Sequence, residues 1–192
     1  MKTVFVNPER CIGCMQCQVA CAVEHSASRD LVTAVGEDPL PRARIHVEAG
    51  PVEGTAFPNR CRHCNPAPCV QVCPTAAMSR NPDEDLVLVD EEKCIVCAMC
   101  AMVCPFDCIT FHAIPDGGAE RVGAVKCDGC VDRLRRGEPE PACVEACKVG
   151  ALVYGEINEL IAQGRLRDTS LALAGVVPLV PAVPLGNGGV LR

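Results

Sequence analysis

The stretch CIVCAMCAMVCPFDC, residues 94–108, carries five cysteines. Four of them, Cys94, Cys97, Cys100 and Cys104, follow the spacing C-x2-C-x2-C-x3-C-P. Three thiols so spaced lie on one tight loop that can wrap a cubane of iron and sulfide, with the backbone N–H groups turned toward the sulfides. The fourth thiol stands one helical turn further on and points away from that loop. The fifth cysteine, Cys108, falls outside the spacing. It opens a short β-branched run, CITF (residues 108–111), and reads as a small buried apolar side chain.

The same pattern recurs along the chain. Group one is CIGCMQCQVAC (Cys11, Cys14, Cys17, Cys21) and group two is CRHCNPAPCVQVC (Cys61, Cys64, Cys69, Cys73). Group three is the opening stretch, and group four holds Cys127, Cys130, Cys143 and Cys147. Each group ends in C-x3-C, and together they use sixteen of the seventeen cysteines. A last cysteine that points away from its own group serves a neighbouring cluster, so the groups work in pairs. Groups two and three both end in Cys-Pro, whereas Ala22 and Lys148 follow groups one and four. Only 20 residues separate Cys73 from Cys94, short enough for one compact unit, with groups one and four closing around it as a second.

Composition limits the alternatives. The chain has 192 residues with no tryptophan, one tyrosine and four phenylalanines, so aromatic packing cannot supply the core. A cysteine-dense chain is either a disulfide scaffold or a metal protein. The start, MKTVFVNPERCIGC, shows no apolar signal region, and an odd cysteine count with repeated C-x2-C pairs suits metal ligation in a reducing cytosol. The expected location is therefore cytoplasmic, or the inner face of the membrane through a partner. Group four alone would suit zinc, but the triple C-x2-C-x2-C of groups one and three is poor tetrahedral spacing. A net charge of -6 argues against nucleic acid as a partner. The most apolar stretch, residues 171–185, is too short to cross a bilayer and is broken by Pro178, Pro181 and Pro184.

Strands are expected at TVFV (3–6), LVLV (86–89), CITF (108–111) and ALVY (151–154), with short helices after the final cysteine of each group. A cation precedes every group: Arg10, Arg60, Lys93 and Lys126. Beside an anionic cluster such a charge stabilises the reduced form; the alternative is four solvated side chains. His63 reads as an exposed loop imidazole, with a hydrogen bond to cluster sulfur or direct ligation as alternatives. His25, His46 and His112 lie at no ligand spacing, and Met15, Met99 and Met102 read as packing around clusters.

The segments CAVEHS, CRHCNPAPCVQVCPTAAM, CIVCAMCAMVCPF and KCDGC...PACVEAC...GAL resemble the four-cluster ferredoxin-like electron-transfer subunits of bacterial oxidoreductases. Such subunits serve molybdenum or tungsten enzymes, membrane-bound hydrogenases and carbon monoxide dehydrogenase. Within them the chain is most similar to the iron–sulfur protein that accompanies carbon monoxide dehydrogenase. The resemblance covers residues 1 to about 155. It implies an α+β fold of two nested bacterial-ferredoxin-like modules. Residues 1–57 and 118–157 would form the outer module and 58–117 the inner one. Residues 158–192 read separately as an apolar proline-containing tail; the stretch 168–192 suits a groove on a partner, with shielding of the chain's own clusters as the alternative.

The resemblance also implies four 4Fe-4S clusters. Cluster one would take Cys11, Cys14, Cys17 and Cys147; cluster two Cys61, Cys64, Cys69 and Cys104. Cluster three would take Cys94, Cys97, Cys100 and Cys73; cluster four Cys127, Cys130, Cys143 and Cys21. There is no GxGxxG turn, phosphate loop, HExxH or nucleophile with its base, so an electron carrier is expected and not an enzyme. Its expected donor is carbon monoxide dehydrogenase and its acceptor a hydrogenase or another reductase. The rivals are a subunit of formate dehydrogenase or a related molybdenum or tungsten enzyme, an iron–sulfur redox sensor, and a catalytic reductase.

Overall fold

The computed structural model describes residues 2–50, 52–116 and 119–164. Its framework is a set of two-stranded ribbons. Strand β1 (Lys2–Val6) lies beside β8 (Leu152–Glu156). Strand β2 (Ile45–Ala49) is antiparallel to β3 (Ala56–Arg60), and β4 (Met78–Asn81) to β5 (Leu86–Val89). The longest ribbon pairs β6 (Thr110–Asp116) with β7 (Ala119–Val125). Mixed helix and small antiparallel ribbons make the fold class α+β.

The runs at 3–6 and 86–89 form β1 and β5. The CITF run starts its strand late, at Thr110, which leaves Cys108 in the preceding turn. Strands β2, β3, β4 and β7 are additional. Segments such as AFPNR and MSRN lack alternating β-branched residues, and only pairing with a neighbour makes them strands.

The helices depart from expectation in position. α1 (Gln16–Glu24) contains Cys17 and Cys21; α3 (Pro68–Gln71), α4 (Met99–Met102) and α6 (Ala142–Glu145) each end before the last cysteine of their group. Two others are α2 (Leu31–Ala34) and α5 (Val131–Arg135). The C-x3-C spacing is one helical turn, and the chain uses that turn between the third and fourth cysteines instead of after them.

Two hydrophobic cores form. One gathers Val4, Cys17, Cys21, Ile45, Cys143, Val144 and Leu152, from the beginning and the end of the motif-bearing chain. The other gathers Met78, Cys100, Ile109 and Ala124, with Cys69, Cys73, Cys94, Cys104 and Phe111 against them. Ala124 brings β7 into this second core, alongside its partner β6. Cysteines are members of both cores, which is how a chain with so few aromatics reaches an interior.

The chain divides into two units, Met1–Gly155 and Glu156–Arg192. In the second, residues 157–164 are helical. The tail from residue 165 onward, including the apolar prolines, lies outside the described residues. No described helix is long and apolar enough to cross a membrane.

Candidate metal centres

Each cysteine group is built on the same backbone device. The second residue after the first cysteine is left-handed in all four: Gly13 (φ 68°), His63 (50°), Val96 (57°) and Gly129 (72°). This reverses the chain so that successive N–H groups face one side of the loop. Glycine adopts it freely, but a residue with a Cβ loses about 1–2 kcal/mol, and a β-branched Val is an outlier there. Such strain persists where a site requires it. The N–H groups of His63 and Gly129 approach Cys61 Sγ and Cys127 Sγ at 3.4 and 3.5 Å.

A second bend follows the last cysteine of groups two, three and four, at Ala76, Asp107 and Gly150. After it, Met78 N–H donates to Cys73 Sγ and Leu152 N–H to Cys147 Sγ, both at 3.4 Å. Group one differs because α1 continues through Cys21 to Glu24. There the distant Arg44 N–H supplies the bond to Cys21 Sγ, at 3.2 Å.

The thiols converge from remote parts of the chain. Burial pushes the Cys17 thiol up to about 11, and the neighbouring Cys147, Cys11 and Cys14 add to the rise. Burial likewise raises Cys143, reinforced by Cys127, Cys21 and Cys130, and it pushes Cys130 up to about 12. Cys69 is raised by burial and by Cys61 and Cys104. Cys73, Cys94, Cys97 and Cys100 line one small apolar cavity with Met78 and Phe111. Cys64 is held through its loop, where Arg80 donates to the carbonyls of His63 and Cys64. Crowded thiols of this kind resist ionising together, and a metal centre that takes them as thiolates removes the mutual repulsion.

The buried polar groups point the same way. Arg60 and Lys126 are each 3% exposed. Neither pairs with a carboxylate among the described residues; both donate to carbonyls. His63 corrects the expectation of an exposed imidazole. Its Nδ1 accepts the Val87 N–H at 3.1 Å, and burial, with Lys126 and Arg60 nearby, lowers its pKa to about 3. The ring is therefore neutral with its proton on Nε2, and among the described residues that buried N–H has no acceptor; Arg60 Nε is buried and unmatched there as well. Buried cations and orphaned donors beside group two are what an anionic iron–sulfur centre would satisfy, so these residues fit the group.

Three further placements are not legible in the sequence. Cys108 is 1% exposed but is not an inert filler. Its Sγ lies 3.7 Å from Cys104 Sγ, and the neighbouring Cys108 thiol is the main reason the Cys61 thiol falls below its ordinary value. The four-residue offset from Cys104 is the available signal. Asp128, inside the C-x2-C of group four, accepts from Arg44 at 2.7 Å and lies 3.2 Å from His25 Nε2. Burial opposes its charge, yet His25 and Arg44 hold it well below the usual carboxylate range. Met15, Met99 and Met102, expected to pack around the sites, are 51%, 41% and 77% exposed beside the exposed cysteines of groups one and three.

Comparison with known proteins agrees with this chemistry. Residues 52–157 match the 4Fe-4S dicluster domain. The chain is 42% identical to an iron–sulfur protein of Rhodospirillum rubrum, over 78% of this chain and 79% of that one. It is 37% identical to the electron transport protein HydN of Escherichia coli K12, over 82% and 89% of the two proteins. It is 34% identical to the B subunit of an anaerobic dimethyl sulfoxide reductase of Haemophilus influenzae, over 92% and 82%. The chain belongs to the 4Fe-4S dicluster domain family.

Proposed function

We propose that the chain is a four-cluster electron relay between a catalytic oxidoreductase subunit and a second redox protein. The ligand sets are Cys11, Cys14, Cys17 and Cys147; Cys127, Cys130, Cys143 and Cys21; Cys61, Cys64, Cys69 and Cys104; and Cys94, Cys97, Cys100 and Cys73. A 4Fe-4S cluster bound in each would accept and release single electrons. What supports the reading above all is the mixing of groups. Three thiols of one group meet the last thiol of its partner, as Cys147 does beside Cys17 and Cys104 beside Cys69.

The same contacts suggest an order. Cys17 and Cys21 share α1, so sets one and four adjoin. Sets two and three adjoin through α3, which carries Cys69 and leads into Cys73. Arg60 and Lys126 lie where set four meets set two. Sets one and three then stand at the ends, and they contain the two exposed cysteines, Cys14 and Cys97. Apolar side chains surround both: Ile12, Met15 and Val19 at one end, Ile95, Val96 and Met102 at the other. Exposed apolar patches of this kind suit docking partners.

Carbon monoxide dehydrogenase is the donor we favour, from the sequence resemblance, with a hydrogenase or other reductase as acceptor. The likeness to dimethyl sulfoxide reductase subunits favours a second reading, an electron-transfer subunit of a formate dehydrogenase or related molybdenum or tungsten enzyme. The test is anaerobic mixing of the oxidised chain with each candidate donor and its substrate. Rapid bleaching of cluster absorbance with carbon monoxide dehydrogenase and carbon monoxide is expected. Bleaching only with a formate-reduced partner would transfer the assignment to the second reading, and turnover of substrate by the isolated chain would end both.

A further inference from the structure

The four cations that precede the cysteine groups have separated into two kinds. Arg10 is exposed, and Lys93 is exposed and paired with Asp90. Arg60 and Lys126 are each 3% exposed. Their hydrogen bonds are reciprocal. Arg60, which leads into group two, donates to the Cys61 carbonyl at 3.0 Å and reaches across to the Val4 carbonyl on β1, in the core that holds groups one and four. Lys126, which leads into group four, donates to the Cys127 carbonyl at 3.1 Å and reaches across to the Val87 carbonyl on β5, the strand beside group two.

A guanidinium and an ammonium removed from water without a carboxylate are costly, and carbonyl dipoles repay only part of that. Arg60 also keeps an unmatched Nε–H. Among the described residues no carboxylate supplies the missing negative charge, and an anionic centre bound beside groups two and four would supply it. Both cations border the same two cysteine groups, two and four.

We propose that Arg60 and Lys126 are a matched pair of buried counter-charges that raise the reduction potentials of the clusters held by groups two and four, while the exposed Arg10 and Lys93 leave the other two clusters unaffected. The proposal rests on the four-cluster reading. The pair also clasps the two cores together, each cation crossing to a strand of the other. Because a cluster gains negative charge on reduction, a fixed positive charge in this dry seam favours the reduced form more than the same charge does at the surface.

The test is an EPR-monitored redox titration of the anaerobically prepared full chain and of Arg60→Gln, Lys126→Gln, Arg10→Gln, Lys93→Gln and Arg60→Lys, with iron counted for each. In Arg60→Gln and Lys126→Gln, two of the four clusters are expected to shift. Their reduced-to-oxidised ratio at fixed potential should fall about tenfold, a downward shift of about 59 mV for a one-electron couple. Arg10→Gln and Lys93→Gln are expected to shift none. Arg60→Lys, which keeps the charge but loses the forked hydrogen bonds, is expected to retain the native midpoints. If the Gln variants fail to load iron, a downward shift of about 59 mV in Arg60→Lys would by itself overturn the proposal, because the charge is kept. Native midpoints in iron-replete Arg60→Gln and Lys126→Gln, or a shift in Arg60→Lys as large as in Arg60→Gln, would overturn the proposal. An iron count in the unaltered chain too low for four clusters would instead overturn the reading beneath it.

Discussion

Groups two and four, which the proposed relay puts at the seam between the two cores, and groups one and three, which it puts at the outer ends, share a motif but not an environment. At the seam Cys61, Cys130 and Cys143 are 7%, 5% and 5% exposed, and the leading cation is buried with them. At the ends Cys14 and Cys97 are exposed, the leading cation is in solvent, and Ile12, Ile95 and Met102 stand 69%, 61% and 77% exposed. Charge lies inside and apolar surface outside, the reverse of the usual partition. The difference teaches how one repeat can serve two purposes. Cysteine spacing makes a ligand loop, and in the proposed relay the surroundings decide whether a cluster on that loop passes electrons within the protein or presents them to a partner.

The comparison breaks most decisively at a ligand. Cys143→Ser should remove one complete cluster, about four irons, and lower thermal stability, because Cys143 belongs to the buried core beside Cys21 and Ile45. Cys14→Ser, at an end, should leave the folded chain and the other three clusters intact. Equal damage from the two would erase the distinction between seam and ends. Cys147→Ser should disturb the cluster of Cys11, Cys14 and Cys17 while the EPR signal of the Cys94, Cys97 and Cys100 cluster persists. A change confined to the latter would reverse the pairing.

Smaller effects sharpen it. Cys108→Ala should keep all clusters at a loss of about 1 kcal/mol in thermal unfolding, since it empties a buried site and removes the contact with Cys104 Sγ. Loss of a cluster would make Cys108 a ligand. Glycine replacements compare the strained turns. Val96→Gly, at an end, relieves a left-handed β-branched residue and should stabilise the protein by about 1 kcal/mol. His63→Gly, at the seam, relieves similar strain but gives up the bond from Val87 N–H, so its gain should be smaller or reversed. An equal gain at both positions would show that the imidazole contributes nothing.

Much of this is legible in the cysteine spacing, because ligand geometry is local: C-x2-C needs a reversed loop and C-x3-C needs one helical turn. Strands β1 and β5 are visible because their β-branched runs are strong. Other features depend on neighbours remote in sequence. Strand β3 exists because β2 lies beside it, and nothing in the Lys-Cys and Arg-Cys dipeptides distinguishes the buried Lys126 and Arg60 from the exposed Lys93 and Arg10. Cys108 escapes a sequence reading because a cysteine outside the motif resembles a small apolar residue until folding sets it against Cys104 and Cys61. His63 escapes it for the same reason, since the strand that buries it begins more than twenty residues later.

The central claim, four clusters held by four mixed thiol sets, is tested most directly by metal content. After anaerobic preparation the full chain should contain about sixteen irons and about sixteen acid-labile sulfides. A reproducible count near eight of each, or stoichiometric zinc in place of iron, would contradict it.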